Sequence, residues 1–286
     1  MKRIFDDYVK RRTAEELHSR SSLHRTFYIL IPILIYYLLG DVVDIALWAL
    51  INAIVADSET KKAFVAVHAS DFGALIYGVS AIFFILILSR MAKEEILYVN
   101  KEENPKKMGF RDYVEYAVAG FSSALFLNML FRILRITELS GRFSETFETQ
   151  RSVTFSLGIL IYAFVSPVTE EILFRGIVYN RMRRLFPVRV AVIVTSLLFG
   201  VFHGNPVQGI YGALMGLLIT YAYEKTRNFT VPVLIHIAAN VIVYSLTYND
   251  ILGAMSMPVF LTILILLGAV FALSIYRLFI GNKEWK

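Results

Sequence analysis

Two adjacent glutamates and one arginine form the pattern in this sequence that is best suited to chemistry. Glu170, Glu171 and Arg175 lie within the segment SPVTEEILFRG. On a helix, Glu171 and Arg175 share one face and can form an ion pair. Glu170 points about 100° away from that face, where a buried carboxylate without a cation would suit a general base or acid. The alternative is a membrane-boundary cluster in which all three side chains extend toward water.

Two histidines in later apolar segments extend this pattern. Phe199 and His203 are four residues apart, and so are His236 and Asn240. An imidazole and an amide facing one cavity could hold a water or a metal, or donate hydrogen bonds to an oxyanion. Taken alone, each pair could equally be an interfacial histidine or a polar contact between helices. Combined with the glutamates, the set favours the activation of water for hydrolysis.

Several other kinds of site are excluded. The chain has no cysteine, which rules out disulfides, iron–sulfur clusters and thiol nucleophiles. It contains no HExxH, no Gly-x-Ser-x-Gly and neither a P-loop nor a dinucleotide-binding glycine pattern. The net charge of +6 could suit nucleic acid in a soluble protein, but we attribute it to membrane topology and expect no nucleic-acid partner.

The elements that must position these residues are membrane-spanning helices. Of the 286 residues, 57% are hydrophobic and 18% are charged, against about 25% charged in soluble proteins. Apolar runs of about 18 or more residues predict membrane spans. We therefore predict an all-α, polytopic membrane bundle of about eight transmembrane helices. The predicted segments are 27–56, 72–89, 113–134, 153–174, 188–204, 207–223, 231–247 and 257–276.

The distribution of positive charge predicts the orientation. With the N-terminus inside, the cytosolic segments contain twenty-three Lys and Arg residues and the outer loops contain five. Cytoplasmic loops carry such an excess, so we expect an integral protein of the cell membrane with both termini in the cytosol. The predicted outer loops are 57–71, 135–152, 205–206 and 248–256. The predicted domains are a cytosolic tail at 1–26, a bundle at 27–280 and a cytosolic tail at 281–286.

The three motifs resemble those of the CPBP family, also called the Abi or type II CAAX prenyl endopeptidase family. Its pattern is EExxxR, then FxxxH, then HxxxN on successive membrane helices. This chain matches at Glu170 to Arg175, Phe199 to His203 and His236 to Asn240, within a core at 153–247. The resemblance implies an intramembrane endopeptidase that cleaves a peptide bond near the cytosolic membrane face.

The resemblance also implies roles for individual residues. Glu170 would activate the attacking water, and His203 would help to hold or deprotonate it. His236 and Asn240 would stabilise the oxyanion. Two further residues would orient the site: Glu171 and Arg175.

The same resemblance bears on cofactors and partners. No obligatory metal is expected, although Glu170, His203 and His236 could hold zinc with an open fourth position. The substrate would be a membrane protein or a lipidated peptide within the lipid bilayer. One difficulty concerns depth, because His203 lies about 22 Å from the inner end of its segment. His203 can meet Glu170 and His236 only if the helix predicted at 188–204 starts in the cytosol or is tilted.

Two other functions are open at this point. A non-catalytic relative could bind a membrane partner, in bacteriocin immunity or in the regulation of a sensor kinase. A carrier is suggested by Asp41 and Asp44, which share one helix face, although both are expected near the outer interface. Internal repeats would support a transporter, and we find none in the sequence.

Overall fold

The computed structural model describes residues 12–102 and 105–277, and within these ranges it contains helices and turns but no strand. The predicted all-α fold is therefore confirmed. Most of the predicted N-terminal tail, residues 1–11, and all of the predicted C-terminal tail, residues 281–286, lie outside the described residues.

Twelve helices follow one another in the described part of the chain. They are α1 (Ala14–His18), α2 (Ser22–Val55), α3 (Glu59–Val67), α4 (Ala69–Glu102), α5 (Phe110–Ile133), α6 (Gly141–Arg151), α7 (Phe155–Leu185), α8 (Val188–Phe202), α9 (Pro206–Thr226), α10 (Thr230–Tyr248), α11 (Ile251–Ala254) and α12 (Met257–Ile275). A short 3₁₀ turn, Ile136–Leu139, precedes α6.

Each of the eight predicted segments coincides with one of these helices. Six of them, α2, α4, α5, α7, α10 and α12, are long and apolar enough to cross a membrane. The other two are α8, which is apolar but has 15 residues, and α9, which has 21 residues. The chain is thus an integral membrane protein built from a helical bundle.

Helix α7 is central to the bundle and has an irregular backbone. Its α-helical turn Ser166–Glu171 lies between two π-helical segments, Ile159–Val165 and Ile172–Tyr179. Pro167 has no backbone N–H to donate to the preceding turn, and the π-helical segments on both sides of its turn are wider than an α-helix. Such π segments often occur at functional sites, and here they flank the glutamate pair.

Glycines allow the helices around α7 to approach closely. A Cβ on Gly200 of α8 would lie 2.4 Å from the carbonyl oxygen of Gly209 on α9, and a Cβ on Gly120 of α5 would lie 2.4 Å from that of Ile235 on α10. Membrane helices pack closely where such small residues meet. These two contacts bring the histidine-bearing helices α8 and α10 into the bundle core.

Candidate active site

The predicted ion pair between Glu171 and Arg175 is present and completely buried. Arg175 Nη1 lies 2.7 Å from Glu171 Oε1, and neither side chain is exposed. The guanidinium also donates from Nε to Thr220 Oγ1 at 3.2 Å and from Nη2 to the Gly216 carbonyl at 3.2 Å. Since Thr220 and Gly216 lie on α9, the arginine ties α7 to α9. The alternative in which these side chains extend toward water is wrong.

His236 is anchored by the same carboxylate. Its Nδ1 donates to Glu171 Oε1 at 2.7 Å, because an ionised carboxylate can only accept a hydrogen bond. The imidazole is thereby held with Nε2 turned toward the other glutamate, 3.9 Å from Glu170 Oε2. The sequence did not reveal this contact, because His236 is 65 residues from Glu171.

Glu170 is held at one oxygen and unpaired at the other. Ser166 Oγ donates to Glu170 Oε1 at 2.5 Å. Tyr77 OH lies 2.8 Å from Ser166 Oγ, and Tyr36 OH lies 3.2 Å from Tyr77 OH, which makes a continuous row of hydroxyl groups. Glu170 Oε2 is buried and has no hydrogen-bond partner among the described residues. Its free lone pairs can therefore accept a proton.

The sequence analysis missed this hydroxyl row. The spacing of Ser166 and Glu170, four residues apart in one segment, could have suggested the first bond. The tyrosines Tyr36 and Tyr77 lie on α2 and α4, far from the motifs along the chain. No local pattern marks them, so only the fold brings them to the site.

His203 and Asn240 line the same cavity but are positioned by backbone contacts. His203 Nδ1 donates to the Phe199 carbonyl at 2.8 Å, which leaves Nε2 available. Asn240 Nδ2 donates to the Tyr162 carbonyl on α7 at 3.0 Å, and its second N–H is left for a ligand.

The phenylalanine of the FxxxH motif separates the two histidines. The Phe199 ring contacts His203 and His236 edge-to-face, with centroids 4.9 and 5.7 Å away. The Arg175 guanidinium lies 4.7 Å from the same ring centroid.

Helix α8 is short for a membrane span. With 15 residues, it is about 22 Å long, shorter than a hydrocarbon core of about 30 Å. Its last turn and the following His203 lie beside the cavity.

The predicted site residues surround one cavity of about 640 Å³. Four of them, Glu170, His203, His236 and Asn240, contribute to its lining. Its volume lies within the range of about 300–1,000 Å³ that is typical of ligand pockets. Asp41 and Asp44, which suggested a carrier, are exposed on α2 and are not part of the lining.

This arrangement does not fit a zinc ligand set. The described residues contain no group of three or more His, Asp or Glu side chains placed to hold a metal ion. We therefore derive no chemical step through a metal.

The cavity opens at one end of the bundle. The lining residues near that end come from the last turns of α5 and α10, from the 3₁₀ turn, from α6, from the first turn of α9 and from the turn after α10. They include Arg132, Glu138, Phe143, Ser144, Phe147, Gln208, Thr247 and Asp250. This end corresponds to the predicted outer loops 135–152, 205–206 and 248–256. We therefore expect the mouth of the cavity to lie on the opposite side of the membrane from the chain termini.

The fold and the site together define a polytopic membrane protein with a buried glutamate–histidine centre inside its helical bundle. Residues 152–242 match the family described as Type II CAAX prenyl endopeptidase Rce1-like. The matched range contains all three motifs. The match over these residues supports the predicted resemblance to the CPBP family.

Two relatives show the same similarity at low identity. The protein YdiL of Bacillus subtilis (strain 168), named as a candidate membrane peptidase, is 25% identical over 179 residues, which are 62% of this chain and 71% of that relative. The membrane-embedded CAAX protease MroQ of Staphylococcus aureus (strain USA300) is 25% identical over 182 residues, 56% of this chain and 72% of that relative. No solved structure matches the chain.

Proposed function

We propose that this protein is an intramembrane endopeptidase in which Glu170 activates a water molecule. The observation that carries the proposal is the unpaired Glu170 Oε2, which is buried and lies 3.9 Å from His236 Nε2. A water at about 2.8 Å from both atoms satisfies ordinary hydrogen-bond geometry. The similarity to proteins named as a membrane peptidase and a CAAX protease supports the same reaction class.

The reaction begins with proton transfer from this water. Glu170 Oε2 accepts the proton while the water oxygen attacks the carbonyl carbon of a peptide bond in the cavity. Glu170 then returns the proton to the leaving amine as the carbon–nitrogen bond breaks. General acid–base catalysis of this kind contributes about 10²–10⁴ in rate. The bond from Ser166 to Oε1 keeps the carboxylate oriented throughout.

The remaining residues hold the water and the oxyanion. Asn240 donates its second N–H to the oxyanion. In its imidazolium form His236 donates from Nε2 to the oxyanion, since Nδ1 already donates to Glu171, and the ring gains and loses no proton in the reaction. His203 presents Nε2 toward the cavity to help hold the water. Each oxyanion donor of this kind is worth about 10²–10³ in rate.

The proposal is tested by comparing peptide N-termini in membranes that contain the wild type or Glu170→Gln. We expect a set of new N-termini with the wild type that is absent with the variant, at equal amounts of inserted protein. Identical sets of termini would contradict the proposal. If Glu170→Gln still supported the host function, the non-catalytic partner-binding alternative would replace it.

A further inference from the structure

The end of the bundle where the cavity opens is identified by its contacts. Arg142 of α6 donates to the Gly204 carbonyl at 3.2 Å, which joins α6 to the turn between α8 and α9. At the same end, Asp71 at the start of α4 accepts hydrogen bonds from the Thr154 N–H at 2.7 Å and from its hydroxyl at 2.9 Å. The lining residue Ser144 is two residues from Arg142, and the lining residue Thr247 lies in the last turn of α10. We call this end the mouth end.

The opposite end of the bundle is closed by polar contacts. The backbone N–H of Lys106 donates to the Thr226 carbonyl at 2.8 Å, and Asn228 Nδ2 donates to Tyr113 OH at 2.9 Å. These bonds join the segment before α5 to the turn between α9 and α10. None of these four residues lines the cavity, so a substrate reaches Glu170 from the mouth end.

Positive charge is concentrated at the closed end. The sequence segments predicted on that side contain twenty-three Lys and Arg residues, against five in the predicted loops at the mouth end and one more, Arg132, in the last turn of α5. Lys and Arg accumulate on the cytoplasmic side of membrane proteins.

We propose that the cavity opens to the extracytoplasmic side of the membrane and receives its substrate from there. This inference rests on the proposed endopeptidase function. The substrate class is an extended, largely apolar peptide segment exposed at the outer face, as part of a membrane-anchored or exported polypeptide. The aromatic side chains Phe131, Phe143 and Phe147 line the mouth and suit apolar substrate side chains. This assignment replaces the cytosolic opening that the family resemblance implied.

Cysteine labelling tests the orientation without any need for activity. The chain has no cysteine of its own, so Ser144→Cys at the mouth end and Lys107→Cys at the closed end give single reactive sites. Both positions are exposed. With a membrane-impermeant maleimide, we expect Ser144→Cys to react in right-side-out vesicles and Lys107→Cys to react only in inverted vesicles. The reverse pattern would overturn the proposal.

Cleavage from the two sides tests the substrate class. A random-sequence peptide pool is added outside right-side-out or inverted vesicles that contain the wild type or Glu170→Gln, and the products are identified by mass spectrometry. We expect cleavage that depends on Glu170 in right-side-out vesicles only. Cleavage confined to inverted vesicles would overturn the inference. Cleavage in neither preparation would contradict the endopeptidase function, whereas the labelling pattern would still decide the orientation.

Discussion

Two of the buried glutamates among the described residues, one on α4 and one on α7, differ in how completely the carboxylate is paired. Glu95 on α4 is 1% exposed. Its Oε1 accepts hydrogen bonds from Arg181 Nε at 3.0 Å and from Tyr28 OH at 3.3 Å, and its Oε2 pairs with Arg184. Both oxygens are therefore occupied.

Glu170 on α7 is also buried, at 7% exposure, but only one of its oxygens is occupied. Oε1 accepts from Ser166, while Oε2 has no partner among the described residues and borders the cavity. A fully paired carboxylate stabilises helix packing, whereas a half-paired one beside a cavity keeps a lone pair for a proton. The comparison separates a structural glutamate from a reactive one.

The largest combined loss of stability and rate is expected at Arg175, because this residue both stabilises the helix packing and holds the carboxylate that positions His236. Arg175→Ala leaves Glu171 as a buried charge without its cation and with only the hydrogen bond from His236, which costs about 3–5 kcal/mol of stability. It also loosens the carboxylate that anchors His236, so the rate should fall together with the yield. Thermal unfolding and product formation per folded molecule measure the two effects, and Glu171→Gln should show the same combination. Normal yield with a lost rate would mean that this pair acts only in the chemistry.

Glu95→Gln should destabilise the protein without changing the reaction. The substitution leaves Arg181 and Arg184 without their anionic partner, again at a cost of about 3–5 kcal/mol. Because Glu95 does not line the cavity, the rate per folded molecule should equal that of the wild type. The unfolding temperature and the rate are measured on the same preparation. A lost rate with unchanged stability would remove the distinction between the two glutamates.

Ser166→Ala should reduce the rate by about tenfold or more, since a hydrogen bond to a charged group is worth about 1.5–3 kcal/mol. Tyr77→Phe should have a smaller effect, because Tyr77 reaches Glu170 only through Ser166. Thr169→Val is the matched control: its hydroxyl bonds the Val165 carbonyl, so the rate should not change. Equal rates for all three variants and the wild type would show that the hydroxyl row does not position Glu170.

The smallest effect is expected for Asp41→Asn and Asp44→Asn. Both side chains are exposed on α2 and lie outside the cavity lining. Surface substitutions usually change stability by less than about 0.5 kcal/mol, and the rate should be that of the wild type. A large loss of activity in either variant would revive the carrier hypothesis.

The structural features that depend on the spacing of nearby residues could be predicted from the sequence. Apolar runs located the membrane helices, because the hydrocarbon core requires long apolar segments. The four-residue spacing of Glu171 and Arg175 predicted their ion pair, because helix geometry places such residues together. The family motifs selected the residues that line the cavity.

Contacts between distant helices could not be predicted in this way. The bond from His236 to Glu171 joins residues that are 65 positions apart, and the bond from Arg181 to Glu95 joins residues that are 86 positions apart. The row of hydroxyl groups that ends at Glu170 depends on the contact between Tyr77 and Ser166, which are 89 positions apart. The side on which the cavity opens also depends on how the helix ends assemble. Charge counting predicts an orientation for the helices, but it does not locate the mouth.

The most direct test of the central claim is the rate of Glu170→Gln relative to its stability. A peptide substrate found by the comparison of N-termini is incubated with purified wild type and variant in the same lipid discs. The account predicts a rate lower by about 10²–10⁴ with an unfolding temperature close to that of the wild type, since Oε2 makes no bond to lose. A variant that cleaves at the full rate would contradict it.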